Sequence, residues 1–167
     1  MTAQRTLILI RHAKAEPHGS RPDHERELAE RGVRDAREIG RRLKADGLRA
    51  DFVWCSTAAR TRETWAAIVE GSGDGALVDH DRRIYDASPR TLLEVLRETD
   101  ANIGTVVLVG HAPGVPALAA ALTEGNATTD FADHFVTSGV AVLGVDVEWA
   151  DLAPGPAHLV EAFVGRG

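Results

Sequence analysis

Residues Leu7–Glu16 read LILIRHAKAE. The apolar run Leu7 to Ile10 is what a strand buried on both faces requires, yet it ends abruptly in Arg11 and His12, side chains that an apolar core rejects. A strand of this kind points its charged end at something. The arrangement recurs twice: DFVWCS at 51–56 runs into Thr57–Arg60, and TVVLVG at 105–110 runs into His111.

Helical patterns separate these strands. From Glu30 to Leu48, Val33, Ala36, Ile39, Gly40 and Leu43 fall at three-to-four spacing, with Gly47 as the stop. TAARTRETWAAIVE at 57–70 predicts a second helix with Ser56 or Thr57 in the capping position. Ser88-Pro89 opens a third, whose buried face is Leu92, Leu93 and Leu96, and Val115–Leu122 forms a fourth. A weak strand is expected near Leu77–His80, and GVAVLGVDV (139–147) and AHLVEAFV (157–164) read as closing strands. The loop HGSRPDHERE at 18–27 holds Gly, Pro and Asp residues that forbid a regular element. Strands alternating with helices imply a three-layer α/β fold, a single domain over 1–167 with a mainly parallel central sheet flanked by helices.

Composition limits what such a domain does. A formal net charge of −6 argues against a general binder of nucleic acid or of a membrane surface. Any positive site must therefore be local. The one cysteine, Cys55, excludes an intramolecular disulfide and a Cys-rich zinc module. No apolar run approaches the roughly 20 residues of a membrane span, and no basic-then-apolar leader pattern opens the chain, so a cytoplasmic location is expected.

In open α/β sheets, ligands bind beyond the carboxyl ends of parallel strands, so the three charged ends are expected to share one pocket. A pocket holding Arg11, Arg60, Arg26 and two imidazoles would be cationic inside an acidic protein, which suits phosphate. Competing motifs fail. A cysteine phosphatase loop needs an arginine at a fixed distance from its thiolate, but Arg60 comes one residue too early after Cys55, Arg62 one too late, and Thr61 stands in the required place. Cys55 then reads as a buried small hydrophobe. Gly-x-Ser-x-Gly, a Walker loop and His-Glu-x-x-His are all absent. His18, His24, His80, His134 and His158 read as surface or loop residues, with His24 a candidate rim contact, and Trp54, Trp65 and Trp149 as packing residues.

These motifs carry a resemblance. LILIRHAKAE resembles the Arg-His-Gly signature of the histidine phosphatase superfamily, with Ala13 where most members have glycine. CSTAARTRET (55–64) is similar to its Ser-Pro-x-x-Arg-x-x-x-Thr segment, and LVGHAPGV (108–115) to its second-histidine motif. RELAERG (26–32) and TSGVAVL (137–143) most resemble the small phosphohistidine phosphatases of the SixA type. The resemblance implies a phosphoglycerate mutase-like fold, with His12 as nucleophile, Arg11 and Arg60 as phosphate ligands, His111 as a further phosphate contact and Arg26 as an added one. It implies no cofactor and no metal.

A neutral imidazole can attack phosphorus in line and form a phosphohistidine that water then hydrolyses. Each arginine–phosphate attraction is on the order of 4 kcal/mol at about 4 Å and an effective dielectric near 20, before desolvation. Many ester-cleaving members of the superfamily carry a glutamate or aspartate proton donor after the second helix. Here that segment is RRIYDASPR (82–90), where Asp86 is either the donor or a loop residue ahead of the next helix. The expected partner is a phosphorylated protein, with phosphohistidine favoured, or a small phosphorylated metabolite. A non-catalytic phosphate-binding module is the rival from another class, and mutase-like transfer would need inserted segments that the chain lacks.

Overall fold

The structure, a computed structural model, describes residues 4–124 and 135–167. His134 lies outside the described residues. Six strands, β1 (Arg5–Arg11), β2 (Phe52–Ser56), β3 (Leu77–Asp81), β4 (Thr105–Gly110), β5 (Gly139–Val145) and β6 (Ala157–Val164), form one sheet in the order β3-β2-β4-β1-β5-β6. β3, β2, β4 and β1 run parallel. The closing pair departs from that direction: β5 lies antiparallel to β1, and β6 antiparallel to β5.

Alternation along each strand divides the core in two. Leu7, Leu9, Val106, Leu108, Ala141 and Leu143 face one side, with helices α3 (Pro89–Arg97) and α4 (Gly114–Leu122) packed over them. Ile8, Ile10, Val107, Val109, Val140 and Val142 face the other, under α1 (Glu30–Ala45) and α2 (Ala59–Ser72). Both faces are covered, which is why β1 and β4 read as unbroken apolar runs. Truncating a core side chain such as Leu9 to alanine costs about 2–5 kcal/mol.

Two glycines set the spacing of α1 and α2. A Cβ on Gly40 would stand 2.1 Å from the Ile68 carbonyl oxygen, and one on Gly71 would stand 2.0 Å from that of Arg37. The helices touch backbone to backbone there.

Local signals locate the helix ends. Ser88 caps α3 by accepting from Thr91 N–H, with Pro89 in the first turn, and Gly47 follows α1 at φ +71°. The expected cap of α2 is corrected: its N-cap residue is Ala58, with no side-chain cap, because the Ser56 hydroxyl is turned toward His111. The 18–27 loop is pinned at its base, where Ala15 and Leu28 pair and Glu16 N–H donates to Glu27 O at 2.9 Å. It carries a single 3-10 turn at Asp23–Glu25. Trp54, Trp65 and Trp149 are buried, and His18, His24 and His80 are exposed. Among the described residues, no helix is long and apolar enough to cross a membrane.

Candidate active site

Register brings the two motif histidines together. Arg11 is paired with Gly110 across β1 and β4, so His12 and His111 leave neighbouring parallel strands at one level. Their ring centroids are 5.3 Å apart. Both rings are buried, and both line a cavity of about 640 Å3 that also takes in Arg11, Arg26, Arg60 and Asp86. All six site residues expected from the sequence therefore meet in one place.

The His12 backbone is fixed on three sides. His12 N–H donates to Gly110 O at 3.0 Å, Ser138 N–H to His12 O at 3.1 Å, and Ala13 N–H to Thr64 Oγ1 at 3.0 Å. The ring is fixed too, since Nδ1 lies 2.8 Å from the carbonyl oxygen of Ala13. A carbonyl only accepts, so Nδ1 carries the proton and Nε2 keeps its lone pair. Burial, opposed by that backbone bond and helped by Arg60, Arg11 and Arg26, lowers the His12 pKa to about 4, which leaves the ring neutral at pH 7.

His111 is held by a residue whose role the sequence did not show. Its Nε2 is 2.8 Å from Ser56 Oγ, which itself accepts from Ala58 N–H at 3.3 Å. The hydroxyl and the ring nitrogen share one proton between them: when the hydroxyl donates to Nε2, the ring proton stands on Nδ1. Burial, then the charge of His12 and of Arg60, lowers the His111 pKa to about 3.

The arginines arrive from three segments. Arg11, at the end of β1, donates to Phe135 O at 3.0 Å, and burial lowers its pKa. Arg60, in the first turn of α2, donates to the Asp23 carbonyl at 2.7 Å and to Asp23 Oδ2 at 3.1 Å. Arg26 donates to Glu16 O at 2.7 Å and to Asp23 Oδ1 at 3.1 Å. The buried Nε atoms of Arg11 and Arg60 and Nδ1 of His111 have no protein partner among the described residues. Two guanidinium N–H donors beside an imidazole nitrogen suit a tetrahedral oxyanion.

Tyr85 and Asp23 are site residues that the sequence reading did not pick out. The Tyr85 hydroxyl donates to Asp23 Oδ2, and its ring stands edge-on to His111 and to His24. His24 reaches the site only through that contact, its Nε2 bonding Thr57 Oγ1 at 2.8 Å. Asp86 lines the cavity from an exposed position at φ +55°, and its carboxylate makes no hydrogen bond or ion pair among the described residues. Cys55 is fully buried, its thiol pushed up to about 12 by burial, which removes it as a nucleophile. Among the described residues, no group of three or more His, Cys, Asp or Glu side chains gathers as a metal site.

Comparison with known proteins places the chain in a family. Residues 7–88 match the model of the histidine phosphatase superfamily, branch 1. An uncharacterised protein of Mycobacterium tuberculosis (strain H37Rv) is 39% identical over 162 residues, covering 94% of this chain and 100% of the relative. A protein of Nakamurella multipartitia, assigned as a phosphohistidine phosphatase SixA, superposes with a TM-score of 0.86 at 34% identity, over 98% of this chain and 97% of that one. One of Agrobacterium tumefaciens, assigned likewise, superposes at 0.81 with 27% identity, over 96% and 97%. On these matches, and on the motif residues that the sheet register draws together, the chain belongs to the histidine phosphatase superfamily and is of its small SixA type.

Proposed function

We propose that this phosphatase works without a metal, through a phosphohistidine formed on His12, and that its substrate is phosphohistidine displayed on a protein. The observation that carries the proposal is the bond from His12 Nδ1 to the Ala13 carbonyl, which leaves Nε2 unprotonated beside Arg11, Arg60 and His111. Nε2 attacks phosphorus, the bond from phosphorus to the leaving group breaks opposite it, and the arginines with His111 stabilise the equatorial oxygens. Water then attacks the phosphorus of phospho-His12, the P–N bond breaks and phosphate leaves.

Acid groups in the cavity favour this substrate over an ester. An alkoxide leaving group needs a proton from a carboxylic acid of raised pKa. Asp23 is instead held well below the usual carboxylate range by the Tyr85 hydroxyl, Arg60 and Arg26, against some desolvation, and Glu16 is lowered by the Glu27 backbone N–H and by Arg21. Neither is built to donate. The imidazole released from phosphohistidine departs with less help.

A second reading, hydrolysis of small phosphate monoesters, is favoured by Asp86, a carboxylate on the cavity wall with no hydrogen bond or ion pair among the described residues. The test is one assay series on a phosphohistidine protein, p-nitrophenyl phosphate and a phosphosugar, with His12→Ala alongside. Faster turnover of the phosphohistidine protein, with an acid-labile phosphoenzyme lost in H12A, is expected. A phosphoenzyme that survives in H12A overturns the mechanism; preference for the esters overturns the substrate.

A further inference from the structure

Asp23 occupies an unusual position in a site that suits an anion. It lies on the 3-10 turn of the 18–27 loop, and three groups from separate segments converge on it. Arg60, on α2, takes both its carbonyl and Oδ2, at 2.7 and 3.1 Å. Arg26 takes Oδ1 at 3.1 Å, and Tyr85, from the segment before α3, donates its hydroxyl to Oδ2. The side chains of Arg26 and Arg60 are only 8% and 7% exposed, so their charges need compensation within the protein. Asp23 supplies it.

The same carboxylate is close enough to the catalytic side of the cavity to act on His111, whose pKa its charge raises against the larger lowering effects. A phosphate gripped by Arg60 would therefore sit in the field of a fixed negative charge that shares the same guanidinium. Like charges near one cation weaken each other's hold on it.

We propose that Asp23 is a built-in counter-anion: it positions Arg60 and Arg26 in the empty site and limits how tightly the site holds free phosphate, so that product departs after each turnover. The inference rests on the phosphatase reading above and adds a residue to it. Asp23 is a positioning residue here and touches no reacting atom. Its carboxylate stays ionised and takes no part in proton transfer.

The test reads binding without turnover. Calorimetric titration of inorganic phosphate compares the wild type with Asp23→Asn, which removes the charge and keeps the shape, and with Asp23→Glu, which keeps the charge. D23N is expected to bind phosphate about tenfold more tightly and to show a lower KM together with a lower kcat, as removal of a nearby like charge requires. D23E is expected to bind no more tightly than the wild type. Unchanged or weaker phosphate binding by D23N with an unaltered melting temperature overturns the proposal, and so does equal tightening in D23E, which would assign the effect to loop geometry. Wild-type protein that binds no phosphate would overturn the phosphatase reading along with this one. Bound phosphate with no change in D23N overturns this one alone.

Discussion

The Ser56 hydroxyl stands 2.8 Å from Nε2 of His111, and through that bond β2 orients a ring carried just past the end of β4. Substituting Ser56 by Ala leaves a fully buried imidazole nitrogen without its partner, at a cost of about 1–3 kcal/mol. A lowered melting temperature is expected, with kcat/KM down roughly tenfold because the His111 ring loses the bond that orients it. Calorimetry and steady-state kinetics on the folded variant check both. Unchanged kcat/KM would remove Ser56 from the positioning role.

Acid should switch the enzyme off late. His12 must be neutral to attack, and its pKa lies at about 4 instead of the ordinary 6.5, so kcat/KM should hold level as pH falls through 6.5 and drop only near 4. Stability has a different window. Both histidines titrate lower in the folded state than in the unfolded chain, so protons bind the unfolded chain first as pH falls. Stability present above pH 6.5 is therefore lost progressively, down through about 4 for His12 and about 3 for His111. A pH–rate profile with its acid limb near 6.5 would contradict the lowered value.

Asp86→Asn separates the two substrate readings. Loss of a proton donor should slow ester cleavage on the order of a hundredfold and spare phosphohistidine cleavage. Equal effects on a phosphosugar, whose alkoxide needs a proton, and on a phosphohistidine protein would exclude Asp86 as a donor.

Cys55 should be silent. With its thiol pushed up to about 12 and no exposed surface, it should resist iodoacetamide in the folded protein, and activity should persist during the treatment. Mass spectrometry of the treated enzyme would show the residue unmodified. Inactivation that tracks alkylation of Cys55 would reopen a thiol mechanism.

What the sequence reveals of this site follows strand geometry. His12, Arg60 and His111 are legible because each stands just past an apolar run, and parallel strands present such ends on one side. Asp23 and Tyr85 are not, since an aspartate in a polar loop and a tyrosine before a helix have the same pattern whether they are solvated or pressed against arginines. Ser56, like Thr57, has the look of a cap because a hydroxyl before a helix usually is one; its partner is 55 residues away. Asp35, buried on α1, shows only its local ion pair with Arg31 in the sequence; its other partners, Arg166 and the Gly167 N–H, stand 131 and 132 residues further on. Long-range polar pairing leaves no local period to read.

The reversal of β5 against β1 has a consequence for how the wall behind His12 is built. Where neighbours run parallel, functional groups follow their strand, and a search for a strand and the residues after it finds them. β5 instead begins beside the end of β1, so the residues ahead of it, Thr137 on the cavity wall and Ser138 behind His12, help to build the site from upstream. Ser138 does so through its backbone N–H, which any residue but proline retains. The bond depends on the path of the chain, which turns through φ +67° at Ser138, so a residue that tolerates the left-handed conformation keeps the wall and a β-branched one strains it.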